Sequence, residues 1–231
     1  MIKPALKAGL LTVTLGLLCA CSTSSNMPAV SYDGLELVPD SKFAAVYRRP
    51  GARLDGFEAY GLADCQVAFR KDWLRNQNNN RISLSSRVTQ KDVDRIKDTL
   101  SSECDKYFRE ALQAPPPYQL VDSFADGENV LILRPAIINL DVSAPDTNSA
   151  GMQRAYTTSA GEMTLLLELV DATTGEVLVR IVDRRQAMDT GRMQWSNSVT
   201  NAAEAKRVLR RWAEQLRKGL DSVTEHPEKQ S

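Results

Sequence analysis

Residues 156–187 read YTTSAGEMTLLLELVDATTGEVLVRIVDRRQA. Met163, Leu165, Leu167 and Leu169 recur at every second position, which puts them on one face of an extended strand. Val177, Val179 and Ile181 repeat the pattern after a break. The break, Asp171-Ala172-Thr173-Thr174-Gly175, is made of turn formers and ends on a glycine that tolerates positive φ. The stretch predicts a long β-hairpin. With Leu169 opposite Val177, both apolar rows share a face. Glu162 then stands opposite Arg184, a favourable cross-strand pair.

The chain on either side supplies the other elements. Downstream, residues 201–224 carry Val208, Leu209, Trp212, Leu216, Leu220 and Val223 at helical spacing. Arg207, Arg210, Arg211, Arg217 and Lys218 read as the solvated face of that helix, or as contacts to lipid headgroups. Upstream, Thr89 and Asp92 mark a helix start, and the prolines at 115, 116 and 117 mark its end. Val93, Ile96, Leu100, Cys104, Tyr107 and Ala111 form its stripe. A strand is expected over 57–70, with Phe57, Ala59, Cys65, Val67 and Phe69 inward. Residues 49–52 (RPGA) suit a type II turn, and 76–81 (NQNNNR) a polar loop. Shorter strands are expected over 118–122 and 130–143, with Pro135 marking an edge, a bulge or a break in the second. The order β-α-β-β-β-β-α predicts an α+β fold. Its simplest form is an antiparallel sheet with the long hairpin at its centre, covered on one face by two long helices as a two-layer sandwich.

The N-terminus indicates a compartment. Lys3 and Lys7 precede an apolar run, 8–18, that is short for a membrane span. The run ends in Leu18-Cys19-Ala20-Cys21, which resembles a bacterial lipobox. The expected organisation is a signal peptide over 1–20, a lipidated Cys21, and a polar tether over 21–31. One domain over 32–225 and a frayed tail over 226–231 complete it. An ordinary secretory signal is the alternative. Ser22 follows the cysteine, which by resemblance to sorting signals favours the outer membrane, with the domain on the periplasmic side. More than one acyl chain would make the membrane attachment stable.

Two cysteines remain, Cys65 and Cys104, in an oxidising compartment. Each falls on the inward face of its element, so a disulfide is expected. Two buried thiols are the alternative.

Composition limits function more than it defines it. Basic and acidic residues balance at 29 each, and removing Lys3 and Lys7 leaves about −2. No global field favours nucleic acid. The lone histidine, His226, lies in the tail, which argues against a His-based triad or a His-rich metal site. Phosphate loops, nucleophile elbows and zincin motifs are missing from the sequence. The expectation is therefore no catalytic residue, no metal ligand and no cofactor.

The segments YDGLELVP, YRRPGA, VAFRKDW, SAGEMTLLLELVDATTGEVL, the Asp-Arg-Arg of 183–185, and NAAEAKRVLRRWAEQLRKGLD resemble an uncharacterised proteobacterial lipoprotein family, known only as a domain of unknown function. The resemblance runs from about Tyr32 to Asp221. It implies fold and location and carries no catalytic role.

Four residues stand out as candidate binding positions. Asp183, Arg184 and Arg185 could take an anionic group, or Asp183 could pair with an arginine on the sheet or the last helix. Trp195 suits a recognition loop or a core cap. Residues 144–154 form a long polar connection. Two functions fit. One is a non-enzymatic envelope protein that binds an unidentified protein partner. The other is a binder or carrier of lipid or glycan in a groove between sheet and helices. An apolar groove of several hundred Å3 favours the second. An exposed edge strand or apolar patch without a cavity favours the first. For the anchor, Cys21→Ala is expected to release soluble or unprocessed protein. Unchanged membrane fractionation and unchanged intact mass would overturn the acylation.

Overall fold

A computed structural model describes residues 27–79, 87–122, 129–142, 156–157, 161–186, 194–195 and 198–225. The signal peptide, Cys21, the connection 144–154 and the tail lie outside the described residues. The elements in order are β1 (Glu36–Leu37), β2 (Ala45–Arg48), β3 (Ala59–Leu62), β4 (Gln66–Phe69), α1 (Trp73–Asn78), α2 (Gln90–Gln113), β5 (Leu120–Val121), β6 (Val130–Asp141), β7 (Tyr156–Thr157), β8 (Glu162–Asp171), β9 (Val177–Gln186), β10 (Gln194–Trp195) and α3 (Ser198–Glu225). Eight strands form one sheet in the order β1-β2-β9-β8-β6-β3-β5, with β4 also paired to β6. β7 and β10 pair separately.

The hairpin forms as β8 and β9, but its register differs from expectation. Leu169 faces Val179 and Glu162 faces Gln186, a slip of two residues along β9. A two-residue slip keeps every side chain on its face, so the apolar rows still coincide. The turn takes up the difference. Val170 pairs with Val177, which leaves Leu178 as an extra residue. Gly175 sits at φ 71, and its N–H donates to the Asp171 carbonyl. Arg184 still reaches Glu162, now diagonally, with Nε 2.6 Å from Oε1.

The sheet is mostly antiparallel, which corrects the fully antiparallel expectation. β3 and β4 both run parallel to β6, and β5 runs parallel to β3. The reason lies in the connection. The chain leaves β4, passes through α1 and α2, and returns, which is the crossover a parallel pair needs. The expected strand over 57–70 is in fact two strands, laid end to end along β6.

Pro135 explains the gap between them. β6 is an interior strand, not an edge. The Leu133 carbonyl accepts from the Ala63 N–H, so Leu133 points its backbone groups towards β3. Pro135, two residues on, points the same way and has no N–H to offer. That missing donor falls where β3 has ended and β4 has not begun. The chain there turns to α2 instead. The Cys65 N–H donates to Asp105 Oδ1 at 2.8 Å, and Ser101 Oγ donates to the Cys65 carbonyl at 2.7 Å. Burial pushes the Asp105 carboxyl up from its ordinary range. The bulge in β6 lies further on. Asn139, at φ 52, is an extra residue relative to both neighbouring strands, and it returns Leu140 to the buried face after Ile137.

α2 begins with a reciprocal capping box between Thr89 and Asp92. Its Cys104, Tyr107, Phe108 and Leu112 join one buried cluster with Leu131, Leu133, Leu165 and Leu167 of the sheet. Leu209, Trp212, Leu216 and Leu220 of α3 complete it. The basic face of α3 is not wholly solvated. Arg217 is 9% exposed and donates to the carbonyls of Ala111, Ala114 and Pro116, which closes the C-terminal end of α2.

Cys65 and Cys104 form a disulfide with Cα atoms 6.1 Å apart, across a separation of 39 residues. On the chain-entropy model such a loop contributes about 4 kcal/mol. Cys65→Ala is expected to lower the denaturation midpoint by an amount equivalent to roughly 2–4 kcal/mol. Adding Cys104→Ala should then change little, because the bridge is already absent. An oxidised Cys65→Ala protein as stable as the parent would contradict this.

Candidate functional site

The most enclosed concavity among the described residues is a groove of about 430 Å3 between the sheet and α3. Its floor is Val46 of β2, Leu169 of β8, and Val179 and Ile181 of β9. These are inner-face residues, brought together because Val46 pairs with Ile181 and Leu169 with Val179. One wall is the segment from Val38 to Phe43. The other is α3, through Leu216, Gly219, Leu220 and Val223. Asp40, Lys42, Arg48 and Lys218 stand around it. Lys42 and Lys218 are exposed and make no ion pair among the described residues. The volume lies within the range of small-ligand sites, roughly 300–1,000 Å3.

Two features of α3 suit an open groove. Gly219 is interior to a long helix, where glycine costs about 1 kcal/mol relative to alanine. A Cβ built there meets nothing within 4 Å. Gln215, on the same wall, has a buried Oε1 without a hydrogen-bond partner, an atom a ligand donor could satisfy.

Asp183 sets the groove's shape. It is 2% exposed, on the inner face of β9. Its Oδ1 accepts from the Ala44 N–H at 2.9 Å. Its Oδ2 accepts from Trp212 Nε1 and from Arg185 Nε, both at 2.6 Å. One carboxylate thus joins β9, the wall that ends at Ala44, and α3. Arg184 pairs with Glu162 on the rim of the sheet, with side chains 60% and 20% exposed. The acid and both arginines of the triplet are therefore engaged within the fold. Trp195 lies in β10, paired to Tyr156 of β7, away from the eight-stranded sheet's ladder. Its side chain lies outside the described residues.

The groove was not legible in the sequence. Its walls come from four separate stretches, and the loop 38–43 has no periodicity. The only available signal was Gly219, a glycine within an otherwise strong helical pattern.

The opposite face of the sheet carries a charge clamp. Arg180, 9% exposed, reaches Asp33 at 2.7 and 2.8 Å and Glu168 at 2.9 Å. Hydrogen bonding to Arg180 holds the Asp33 carboxyl well below the usual carboxylate range, against the opposing effect of burial. That stabilisation is fully present above the ordinary carboxylate pKa and is lost progressively as pH falls from there to the depressed one. The clamp pins the N-terminal segment onto β8 and β9. A more open depression lies around Trp73, Arg70 and Gln90. Among the described residues, no group of three or more His, Cys, Asp or Glu is placed to hold a metal ion.

Removing the Asp183 carboxylate leaves the buried Trp212 Nε1, the half-buried Arg185 Nε and the Ala44 N–H without their acceptor. Asp183→Ala is expected to cost roughly 3–5 kcal/mol in urea denaturation. Trp212→Phe should cost about 1–2 kcal/mol for the lost hydrogen bond. The double variant should lose less than the sum, since both remove the same contact. Strict additivity would show that the Asp183–Trp212 contact is energetically silent.

Comparison with the curated proteins finds no match. Three solved structures are similar over most of their length. The PelC dodecamer from Paraburkholderia phytofirmans is 11% identical with a TM-score of 0.36, covering 74% of this chain and 96% of that one. A neuraminyllactose-binding hemagglutinin homolog from Helicobacter pylori is 10% identical with a TM-score of 0.37, covering 78% and 96%. Protein XCC0632 from Xanthomonas campestris, of family DUF330, is 11% identical with a TM-score of 0.37, covering 80% and 94%. Likeness of that size does not establish a shared function. A family model described as Protein of unknown function (DUF3313) matches residues 28–216, most of the sequence, and the chain belongs to that family.

Proposed function

We propose that this protein is a non-enzymatic lipoprotein of the bacterial envelope that holds an apolar chain in the groove beside α3. In this reading Cys21 carries the lipid anchor. The domain faces the periplasm from the outer membrane, and α2 and α3 form the second layer of a two-layer sandwich. The observation that carries the ligand is the groove itself, with its aliphatic floor and its lysines at the rim, which make no ion pair among the described residues. An aliphatic floor excludes sugars as the main contact, because their hydroxyls would be left without partners. Lys42 and Lys218 suit a carboxylate or phosphate head outside the floor. The ligand class is an amphiphile with a single apolar chain and an anionic head.

Pairing with a protein partner at a sheet edge is less favoured. The sheet ends on β1 and β5, each two residues long, and on the four-residue β4, and short edge strands are poor templates for added strands.

A fluorescent fatty acid is the direct probe. The purified protein is expected to bind it with saturable, micromolar or tighter affinity. Gly219→Trp should weaken binding at least ten-fold with the melting temperature unchanged or raised, because the new side chain enters open space. Gly219→Ala should leave binding intact and add about 0.5–1 kcal/mol of stability. Lys42→Glu with Lys218→Glu should weaken the fatty acid more than its methyl ester. No binding by the parent protein, or equal binding by Gly219→Trp, would remove the groove as a ligand site.

A further inference from the structure

The groove and the chain's point of entry share one edge of the molecule. A cross-strand row runs from Leu167 to Ile181 to Val46. It continues to Val38, whose N–H donates to the Val46 carbonyl. Exposure rises along this row, from 0% at Leu167 through 5% at Ile181 to 36% at Val38. The apolar floor therefore runs out to the surface at this edge. The incoming chain lies alongside it. The Leu37 N–H donates to the Ala29 carbonyl, and Val30 bridges Glu36.

Among the described residues, the exposed large hydrophobics are Met27, Val30, Tyr32 and Val38. All four lie in this N-terminal segment. Singly scattered apolar residues need no explanation, but Val38 lines the groove and carries its floor to the surface, which marks this edge as a contact surface. Tyr32, 92% exposed, lies against the Arg180 guanidinium, with 5.1 Å from ring centroid to Cζ. Tyr32 thus lies on the sheet's other face, where Arg180 is already paired with Asp33 and Glu168, so the membrane contact rests on Met27, Val30 and Val38. Lys42, on the same stretch, offers an ammonium to headgroup phosphates.

The covalent chain sets the distance. Only six residue steps separate Cys21 from Met27. Fully extended, they span at most roughly 20 Å. A domain anchored at Cys21 has little freedom to turn this edge away from the lipid.

We infer that the N-terminal edge, residues 27–43, rests on the phospholipid surface, so that the groove opens towards the bilayer from which its occupant comes. This rests on the acylation of Cys21 and on the groove reading above. The short tether keeps the edge in contact, and the row from Val38 to Ile181 gives an apolar chain a continuous path off the membrane. The protein would then exchange a chain with the bilayer beneath it without crossing water.

Hydrogen exchange read by mass spectrometry tests the contact. The acylated full-length protein is placed on vesicles of phosphatidylethanolamine and phosphatidylglycerol. Its reference is the unacylated Cys21→Ala protein in solution. Exchange over 27–43 is expected to slow several-fold on vesicles, with 90–113 unchanged. Val30→Asp, which lies outside the groove, should abolish that slowing while the protein stays anchored. No change over 27–43, or slowing over 90–113 instead, would overturn the inference. So would slowing over 27–43 that appears without vesicles as protein concentration rises, because a second copy would then cover the edge. Fatty-acid binding by soluble Cys21→Ala protein keeps the two readings apart. Binding without slowing on vesicles leaves the groove and overturns the membrane contact. Slowing without binding supports the contact and removes the groove as its purpose.

Discussion

A carboxylate taken out of water must be surrounded by donors, and Asp183 is 2% exposed. Its donors come from three places: the Ala44 N–H, Trp212 Nε1 and Arg185 Nε. Charge-assisted bonds in such a site are short and directional. They decide how far α3 stands from β9 and where the chain enters β2. The groove is the space this spacing leaves. Trp212, 0% exposed, then packs against the sheet with its one polar atom already satisfied.

The other half of the molecule depends on a donor that is missing. Pro135 sits inside an interior strand, where a proline normally interrupts a ladder. Here the interruption falls between two neighbours, β3 and β4, and no bond is lost. The backbone freed at Cys65 turns to Asp105 and Ser101, and the Cys65–Cys104 bridge fixes α2 to the same point. Arg217 secures the far end of α2 by closing its last carbonyls, with Tyr118 under its guanidinium at 4.7 Å. The Tyr118 hydroxyl donates to Asp221, and burial pushes its pKa up to about 12. α2 is thus held near its middle by the bridge and at its C-terminal end by Arg217.

These constraints leave α3 with two different faces along its length. Around Trp212 it is packed tightly against the sheet. Around Gly219 it stands clear of the loop 38–43. A helix that needed only stability would carry alanine at Gly219. Arg210 and Arg217 are drawn towards α2, where Arg210 lies over the Tyr107 ring at 5.2 Å. Lys218 remains beside the groove. One helix therefore supplies packing, a cap for its neighbour, and one wall of the candidate site.

The sequence by itself determined what depends on periodicity and on local chemistry. The hairpin arms, the Thr89 start and proline stop of α2, the inward faces of Cys65 and Cys104, and the stripe of α3 all follow from spacing. Spacing is set by backbone geometry that every residue shares. It could not choose the hairpin register, because shifts of two residues leave the same side chains on the same face. Nor could it orient β3 and β4 against β6, since parallel and antiparallel strands share a period of two. Arg217 read as a surface residue for a related reason: helical spacing shows which residues are polar, but not which carbonyls another helix end will present to them. The groove belongs wholly to tertiary structure. Val38 and Ile181 are unremarkable where they stand in the chain and Gly219 shows only as a gap in a helical pattern, and they become a site only because the buried Asp183 contacts hold a loop, a sheet and a helix at one fixed separation.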